Sequence, residues 1–131
     1  MRRYLLDTCT LIWMLKDDPR IKGVKEEIDC YQGDYAISVE SIKEFVYLIK
    51  SGKIKTDISF DELVTALDDN HILICKYDRG TLKVLSELPF FKKHQDPSDR
   101  VIIANAIADN RILISGDHNF TLYKDLNLMM V

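Results

Sequence analysis

His94-Gln95-Asp96-Pro97-Ser98-Asp99-Arg100 begins the most informative stretch of the chain, and an apolar run from Val101 to Ala108 follows it. Asp96 can cap a helix and Pro97 suits its first position, which predicts a buried helix over residues 97–109. Asp99 then shares a helical face with apolar residues at i+3, i+4 and i+7. A carboxylate on such a face is costly unless it is neutralised or hydrogen-bonded, so Asp99 is a candidate functional residue.

Short apolar runs alternate with helical patterns along the whole chain. Ser38, the capping box at Ser59–Glu62, and Asp78 mark helix starts between these runs. This alternation predicts an α/β fold, with a short parallel sheet of about five strands sandwiched by α-helices. The absence of repeats and long linkers predicts a single domain over residues 1–131. The predicted strands are Arg3–Leu6, Tyr35–Ile37, His71–Cys75, Arg111–Ser115 and Leu126–Val131.

Composition indicates a globular domain. The chain has 131 residues, 47% of them hydrophobic and 30% charged, and no apolar run approaches the ~20 residues of a membrane span. Met1–Asp7 has neither the long apolar region nor the cleavage site of a signal peptide. Cys9, Cys30 and Cys75 form no C-x-x-C pair, which argues against disulfides and zinc. Reduced thiols and a cytoplasmic location are therefore expected, with no membrane partner and with Cys9 as a core residue.

The net charge of −3 argues against binding nucleic acid through bulk positive charge. It does not exclude an enzyme that acts on nucleic acid through bound cations, because a metal ion reverses the local charge of an acidic site. The sequence has no Gly-rich phosphate loop, no G-x-S-x-G and no H-E-x-x-H motif. The main hypothesis is therefore metal-dependent catalysis at a site made of carboxylates.

Four acids are predicted to meet at the carboxyl edge of the sheet, where ligands of open parallel sheets bind. Asp7 ends the first strand, Asp117 follows the fourth, Asp99 opens the buried helix, and Glu44 lies in the helix after the second strand. Four facing carboxylates resist ionising together, and Mg²⁺ or Mn²⁺ removes that conflict. Taken singly, each acid also has an ordinary structural interpretation: Asp7 as a strand end, Glu44 as a solvated helix residue, Asp99 as a first-turn acid, and Asp117 as part of a turn.

Several neighbouring residues have simpler interpretations. Asp96 is expected to cap the helix and to pair with Arg100 at i+4, so it supports the site without binding metal. His94, together with Lys92 and Lys93, is expected to form a solvated basic turn.

Five short motifs occur in a specific order and spacing along the chain. They are Leu5-Leu6-Asp7-Thr8, Ser38 with Glu44, Gly52-Lys53-Ile54, the segment from His94 to Arg100, and Ser115-Gly116-Asp117-His118-Asn119-Phe120. Together they resemble those of a PIN-domain ribonuclease and, within that family, the toxin of a VapBC-type toxin–antitoxin pair. By that resemblance Asp7, Glu44, Asp99 and Asp117 would hold Mg²⁺ or Mn²⁺, and Thr8 and Ser115 would support them through their hydroxyls.

The resemblance implies a metal-dependent endoribonuclease that leaves a 5′-phosphate and a 3′-hydroxyl. It also implies a homodimer and a small VapB-like antitoxin whose C-terminal segment covers the acidic site. Two departures stand out: Ser98 replaces a large apolar residue, and Ser115-Gly116-Asp117 replaces the more usual Thr-x-Asp. The alternative is a non-catalytic PIN-like module that binds RNA or protein. Phosphoacceptor and phosphatase functions fit poorly, because Asp7-Thr8-Cys9 lacks a second acid.

Overall fold

A parallel sheet forms the centre of the protein in a computed structural model that describes residues 2–31 and 33–131. Within these residues five strands pair in the order β3-β2-β1-β4-β5, and every pairing is parallel. The predicted α/β fold and strand number are confirmed. The strands are β1 (Arg3–Leu6), β2 (Asp34–Ser38), β3 (Ile72–Cys75), β4 (Ile112–Ser115) and β5 (Leu128–Met130).

Helices cover both faces of this sheet. They are α1 (Thr8–Leu15), α2 (Arg20–Tyr31), α3 (Val39–Lys50), α4 (Phe60–Asp69), α5 (Arg79–Glu87) and α6 (Pro97–Ala108), followed by a short 3-10 helix at His118–Leu122. The predicted caps at Ser38, Ser59, Asp78 and Asp96 all accept backbone N–H bonds. No helix in the described ranges combines the length and apolar character needed to cross a membrane.

Side chains of β1 alternate between two apolar cores. Tyr4 and Leu6 belong to the core that α1 to α4 cover, whereas Leu5 faces the core built around α6. Both cores are closed to solvent at these positions. Such two-sided burial is what a parallel sheet requires, and it leaves the strand ends as the place where polar groups can gather.

The chain passes closely beneath Tyr4 as it enters β2. A Cβ atom on Gly33 would overlap the Tyr4 ring, so only glycine fits this approach without a shift. The sequence Gln32-Gly33-Asp34 is itself typical of a turn, and of these residues Gln32 lies outside the part of the chain that the structure describes.

Replacing Phe45 with alanine is expected to lower the free energy of unfolding by about 3–5 kcal/mol, because the ring is 1% exposed within the core. Tyr47 lies on the same helix but is 61% exposed, so Tyr47→Ala should change stability by about 0.5 kcal/mol or less. Urea unfolding of both variants measures the two effects. Equal losses would contradict the assignment of Phe45 to the core.

Candidate metal centre

All four predicted acids line one open cleft of about 490 Å³. Asp7 directly follows β1, Asp117 follows β4, Glu44 lies in the second turn of α3, and Asp99 lies in the first turn of α6. The carboxyl edge of the sheet therefore brings together residues that are far apart in the sequence. Asp96 lies beside them, at the start of α6.

Asp7 is held rigidly at the base of the cleft. Its side chain is 6% exposed and caps α1, where Oδ1 accepts a 2.8 Å bond from the backbone N–H of Thr8. Oδ2 accepts a second bond from the Ser115 hydroxyl, also at 2.8 Å. Burial raises the pKa of the Asp7 carboxyl, although these bonds oppose the rise. Because the cap places Thr8 inside the helix, α1 begins before the first apolar residue of its pattern, Leu11.

Ser115 links two of the acids. Its hydroxyl donates to Asp7 and accepts a 3.1 Å bond from the backbone N–H of Asp117. Asp117 in turn caps the 3-10 helix, since its Oδ1 accepts from the N–H of Asn119 at 2.9 Å. The intervening Gly116 lies against Trp13, and a Cβ there would come within 3.0 Å of the ring.

Asp99 lies where burial and neighbouring charges both oppose its ionisation. Burial raises its pKa to about 8, and the neighbouring charges of Asp7, Asp96, Glu44 and Asp117 add to the rise. The unfavourable position predicted from the helix pattern is therefore real.

His94 supplies the hydrogen bond that the position of Asp99 requires, with its Nε2 3.0 Å from the Asp99 Oδ2. The expectation of a solvated basic turn at His94 was wrong, because the ring is 4% exposed.

Glu44 and Asp96 approach Asp99 from two sides. One carboxylate oxygen from each of these three residues lies within 4.8 Å of the others. Burial raises the pKa of Glu44, while the nearby Thr8 hydroxyl opposes that rise. The same hydroxyl is buried and makes no hydrogen bond of ordinary geometry within the described part of the chain.

Asp96 accepts from the Asp99 N–H at 2.9 Å, as a cap should, but its position also makes it a candidate ligand. The expected side-chain pair between Asp96 and Arg100 is not formed. The Arg100 guanidinium donates instead to the backbone oxygen of Pro89 at 2.8 Å.

A buried acid that the sequence pattern did not reveal lies beside the site. Glu40 is 4% exposed, accepts a 3.0 Å bond from the Ser98 hydroxyl, and pairs with Lys43 at 3.0 Å. The Ser98 bond connects the first turns of α3 and α6, the helices that carry Glu44 and Asp99. The unusual serine at position 98 was the available signal, because a hydroxyl in place of an apolar side chain calls for a polar partner.

Arg20 is a second residue that sequence reasoning missed. It lines the acidic cleft, and its guanidinium lies 4.2 Å from the centre of the Trp13 ring. Two hydrogen bonds to Asp18, at 3.0 and 2.8 Å, fix its orientation. Its position after a helix end, at Asp18-Pro19-Arg20, gave no local sign that it would meet the acids.

Cys9 also lines the cleft, but its surroundings oppose ionisation of the thiol. Burial and the Asp7 carboxylate raise the pKa of the thiol to about 12, so it is not an activated nucleophile. It is half-buried, which is more open than the core position that was predicted. Cys75 is held by a bond to Asp109, and burial raises its pKa to about 11.

The donor set fits a hard divalent cation. The converging groups are carboxylate oxygens, and burial, with a smaller contribution from repulsion between the acids, raises the pKa values of Asp7, Glu44 and Asp99. Mg²⁺ and Mn²⁺ favour such oxygen ligands and keep several waters. The buried Thr8 hydroxyl lies near Glu44 and makes no hydrogen bond of ordinary geometry within residues 2–31 and 33–131, so it is suited to bind one of those waters.

These features define an α/β domain with an acidic cleft at the carboxyl edge of its sheet. The PIN domain family model matches residues 4–126, so the chain belongs to the PIN-domain family, as the motifs predicted. No curated protein matches the chain.

Solved structures with this fold extend over nearly the full length of both chains. VapBC2 from Rickettsia felis, bound to a promoter DNA fragment, has a TM-score of 0.74 and 19% identity, covering 98% of each chain. DNA-bound VapBC from Salmonella typhimurium has a TM-score of 0.70 and 16% identity, covering 99% of this chain and 98% of that one. VapBC-1 from nontypeable Haemophilus influenzae has a TM-score of 0.69 and 17% identity, covering 98% and 97%.

The metal-free protein is expected to lose stability as the pH rises from about 4 to about 8. Over this range the unfolded chain releases the Asp99 proton near the ordinary pKa of 3.8, whereas the folded protein retains it up to about 8. Asp99→Asn removes this titration. The variant should match the parent near pH 4 and exceed it by about 2–4 kcal/mol at pH 8, measured by urea unfolding in EDTA.

Asp57→Asn is the matched control, because Asp57 is exposed and lies outside the cleft. Its stability should follow the parent profile at every pH. If Asp99→Asn and the parent were equally stable at pH 8, the strain assigned to Asp99 would be absent.

Proposed function

We propose that this protein is a metal-dependent endoribonuclease, a VapC-like toxin that hydrolyses phosphodiester bonds of RNA. The observation that carries the proposal is the convergence of Asp7, Glu44, Asp99 and Asp117 in one open cleft of a PIN domain. Mg²⁺ or Mn²⁺ would be held by these four acids, with Asp96 as a further candidate. Bound there, the cation would supply Lewis-acid polarisation of a phosphodiester and activation of water.

The protein's own groups would act mainly by positioning. Asp7 already has both carboxylate oxygens oriented by donors. Oδ2 accepts from the Ser115 hydroxyl and, at 3.5 Å, from the Cys9 thiol, whereas among the described residues Oδ1 accepts only from Thr8 and keeps a second lone pair. Ser115 holds Asp7 and Asp117 in one arrangement, so little reorganisation would accompany binding of the cation. Thr8 would orient water next to Glu44. Such preorganisation is how a site lowers a barrier without paying for rearrangement during the reaction.

Arg20 gives the acidic cleft a fixed positive group for the RNA backbone. Asp18 occupies its Nε and Nη2, which leaves Nη1 available to a phosphate oxygen. Lys43 on α3, whose ammonium group pairs with Glu40, is a second positive group and is more exposed than Arg20. Contacts of this kind suit a protein of net charge −3, whose affinity for RNA would come from local groups and bound cations.

The proposed partners follow from the same family membership. The similar structures named above are of VapBC complexes, and we propose that a small VapB-like antitoxin binds this chain and blocks its cleft. A homodimer and a cytoplasmic location stay predictions from the sequence. The competing function is a non-catalytic PIN-like module, and cleavage of RNA by the purified chain separates the two.

Asp99→Asn is expected to lower the rate of RNA cleavage by about 100-fold or more, because it removes one ligand and one charge from the cation site. The measurement is cleavage of a fluorescent RNA in Mn²⁺, with circular dichroism to verify the fold. Asp57→Asn serves again as the control and should cleave at the parent rate. Undiminished cleavage by Asp99→Asn, in protein free of contaminating nuclease, would overturn the assignment of the site.

Mg²⁺ or Mn²⁺ is expected to stabilise the folded protein, since the unfolded chain lacks an assembled site. A cation at 100 times its dissociation constant would add about 2.7 kcal/mol to the free energy of unfolding. Urea unfolding with and without cation measures this, and Asp99→Asn should show a much smaller gain. An absent gain in parent protein first verified as metal-free would count against a shared metal site.

A further inference from the structure

His94 is enclosed by aromatic rings and bonded through both of its ring nitrogens. The imidazole lies edge-on to Phe120 and Tyr123, with centroid distances of 5.2 and 5.4 Å. Its Nε2 is 3.0 Å from Oδ2 of Asp99, and its Nδ1 is 2.8 Å from the Tyr123 hydroxyl. The orientation of the imidazole is therefore fixed, because aromatic rings enclose it and both of its nitrogens are hydrogen-bonded.

Hydrogen bonds connect Arg100, Tyr123, His94 and Asp99 in series, and they indicate which atom donates at each contact. Arg100 donates from Nη1 to the Tyr123 oxygen at 3.4 Å, and a guanidinium has no acceptor. Tyr123 can therefore direct its own proton to Nδ1 of His94. That assigns the remaining ring proton to Nε2, where it points at the Asp99 carboxylate.

We propose that His94, held by Tyr123 and Arg100, is a positioning residue that fixes the Asp99 carboxylate for a divalent cation. This inference rests on the metal site of the proposed function. The bond from Nε2 uses one lone pair of Oδ2 and leaves the others for the cation and its waters. Donors that orient a ligand in this way typically change metal affinity by 10–100-fold when they are removed.

The site needs such a device because its other charges push Asp99 away. Asp7, Asp96, Glu44 and Asp117 all act on this carboxyl, and a first-turn side chain can swing outward to relieve repulsion. His94 opposes that movement from a position that solvent scarcely reaches. The Asp99 oxygen thus stays near Glu44 and Asp96, within the 4.8 Å spread that a single cation can span.

Direct ligation by His94 is the competing role. A potential ligand atom of His94 lies within 4.8 Å of oxygens on Asp99 and Asp117. Both ring nitrogens, however, already have partners, and an oxygen-rich site with Mg²⁺ or Mn²⁺ does not require imidazole. The geometry therefore favours positioning over ligation.

Mn²⁺ binding to the purified full chain tests the proposal without any activity assay. Free Mn²⁺ is followed by its EPR signal during titration of the parent and of the variants. His94→Phe keeps a ring but loses the donor, and its affinity should fall 10–100-fold. His94→Gln keeps an N–H donor and should recover most of that loss. Tyr123→Phe, which removes one oxygen atom, should give an intermediate loss.

Phe91→Leu is the matched control. Phe91 packs edge-on against Tyr123 at 5.1 Å but has no polar atom in the chain of hydrogen bonds. It should lower stability while leaving Mn²⁺ affinity at the parent value. This separates loss of packing from loss of the bond to Asp99.

Parent-like affinity in folded His94→Phe would overturn the proposal, as would parent-like affinity in Tyr123→Phe if His94→Phe does not fold. Nitrogen coupling in the pulsed EPR spectrum of bound Mn²⁺, lost in His94→Phe, would show direct ligation and also overturn it. A parent that binds no Mn²⁺ refutes both the metal site and this inference. A parent that binds Mn²⁺ but leaves RNA intact refutes only the nuclease function.

Discussion

The hydrogen bond from Ser115 to Asp7 joins residues that are 108 positions apart, at the point where β1 and β4 end together. It depends on the parallel register of those strands, in which Leu6 lies opposite Ile114. The backbone N–H of Asp7 also bonds to the oxygen of Ile114, so main chain and side chain are fixed by the same neighbour. The remaining acids are arranged around this rigid pair.

Bringing several carboxylates together at one edge of the sheet opposes folding, because their charges repel and lose solvation. Hydrogen-bond donors around the site offset part of that cost. Asp7, Asp96 and Asp117 each cap a helix, which orients the acid and also satisfies a backbone N–H group. Asp99 has no such role and depends on His94 for compensation. Burial and the charges of four neighbouring acids oppose its ionisation, and a bound cation would offset both effects.

The sequence predicted those features that depend on local pattern. Strand and helix alternation, the caps, the positions of Asp7 and Asp117 after strands, and those of Glu44 and Asp99 in the early turns of helices all follow from short stretches of chain. The environment of His94 could not be predicted, because Lys92, Lys93 and Gln95 make its segment look solvated and the rings that bury it come later in the sequence. Glu40 and Arg20 were missed for the same reason, since their importance arises only from distant contacts.

The distance in sequence between Asp7 and Ser115 also affects when the cleft is completed during translation. Asp7 is synthesised 108 residues before its hydroxyl partner, Ser115. A nascent chain that has not yet reached β4 has an unpaired flank on β1 and an unsupported Asp7 carboxylate. The acidic cleft would therefore be completed only after β4 has joined the sheet, however early its first acid is made.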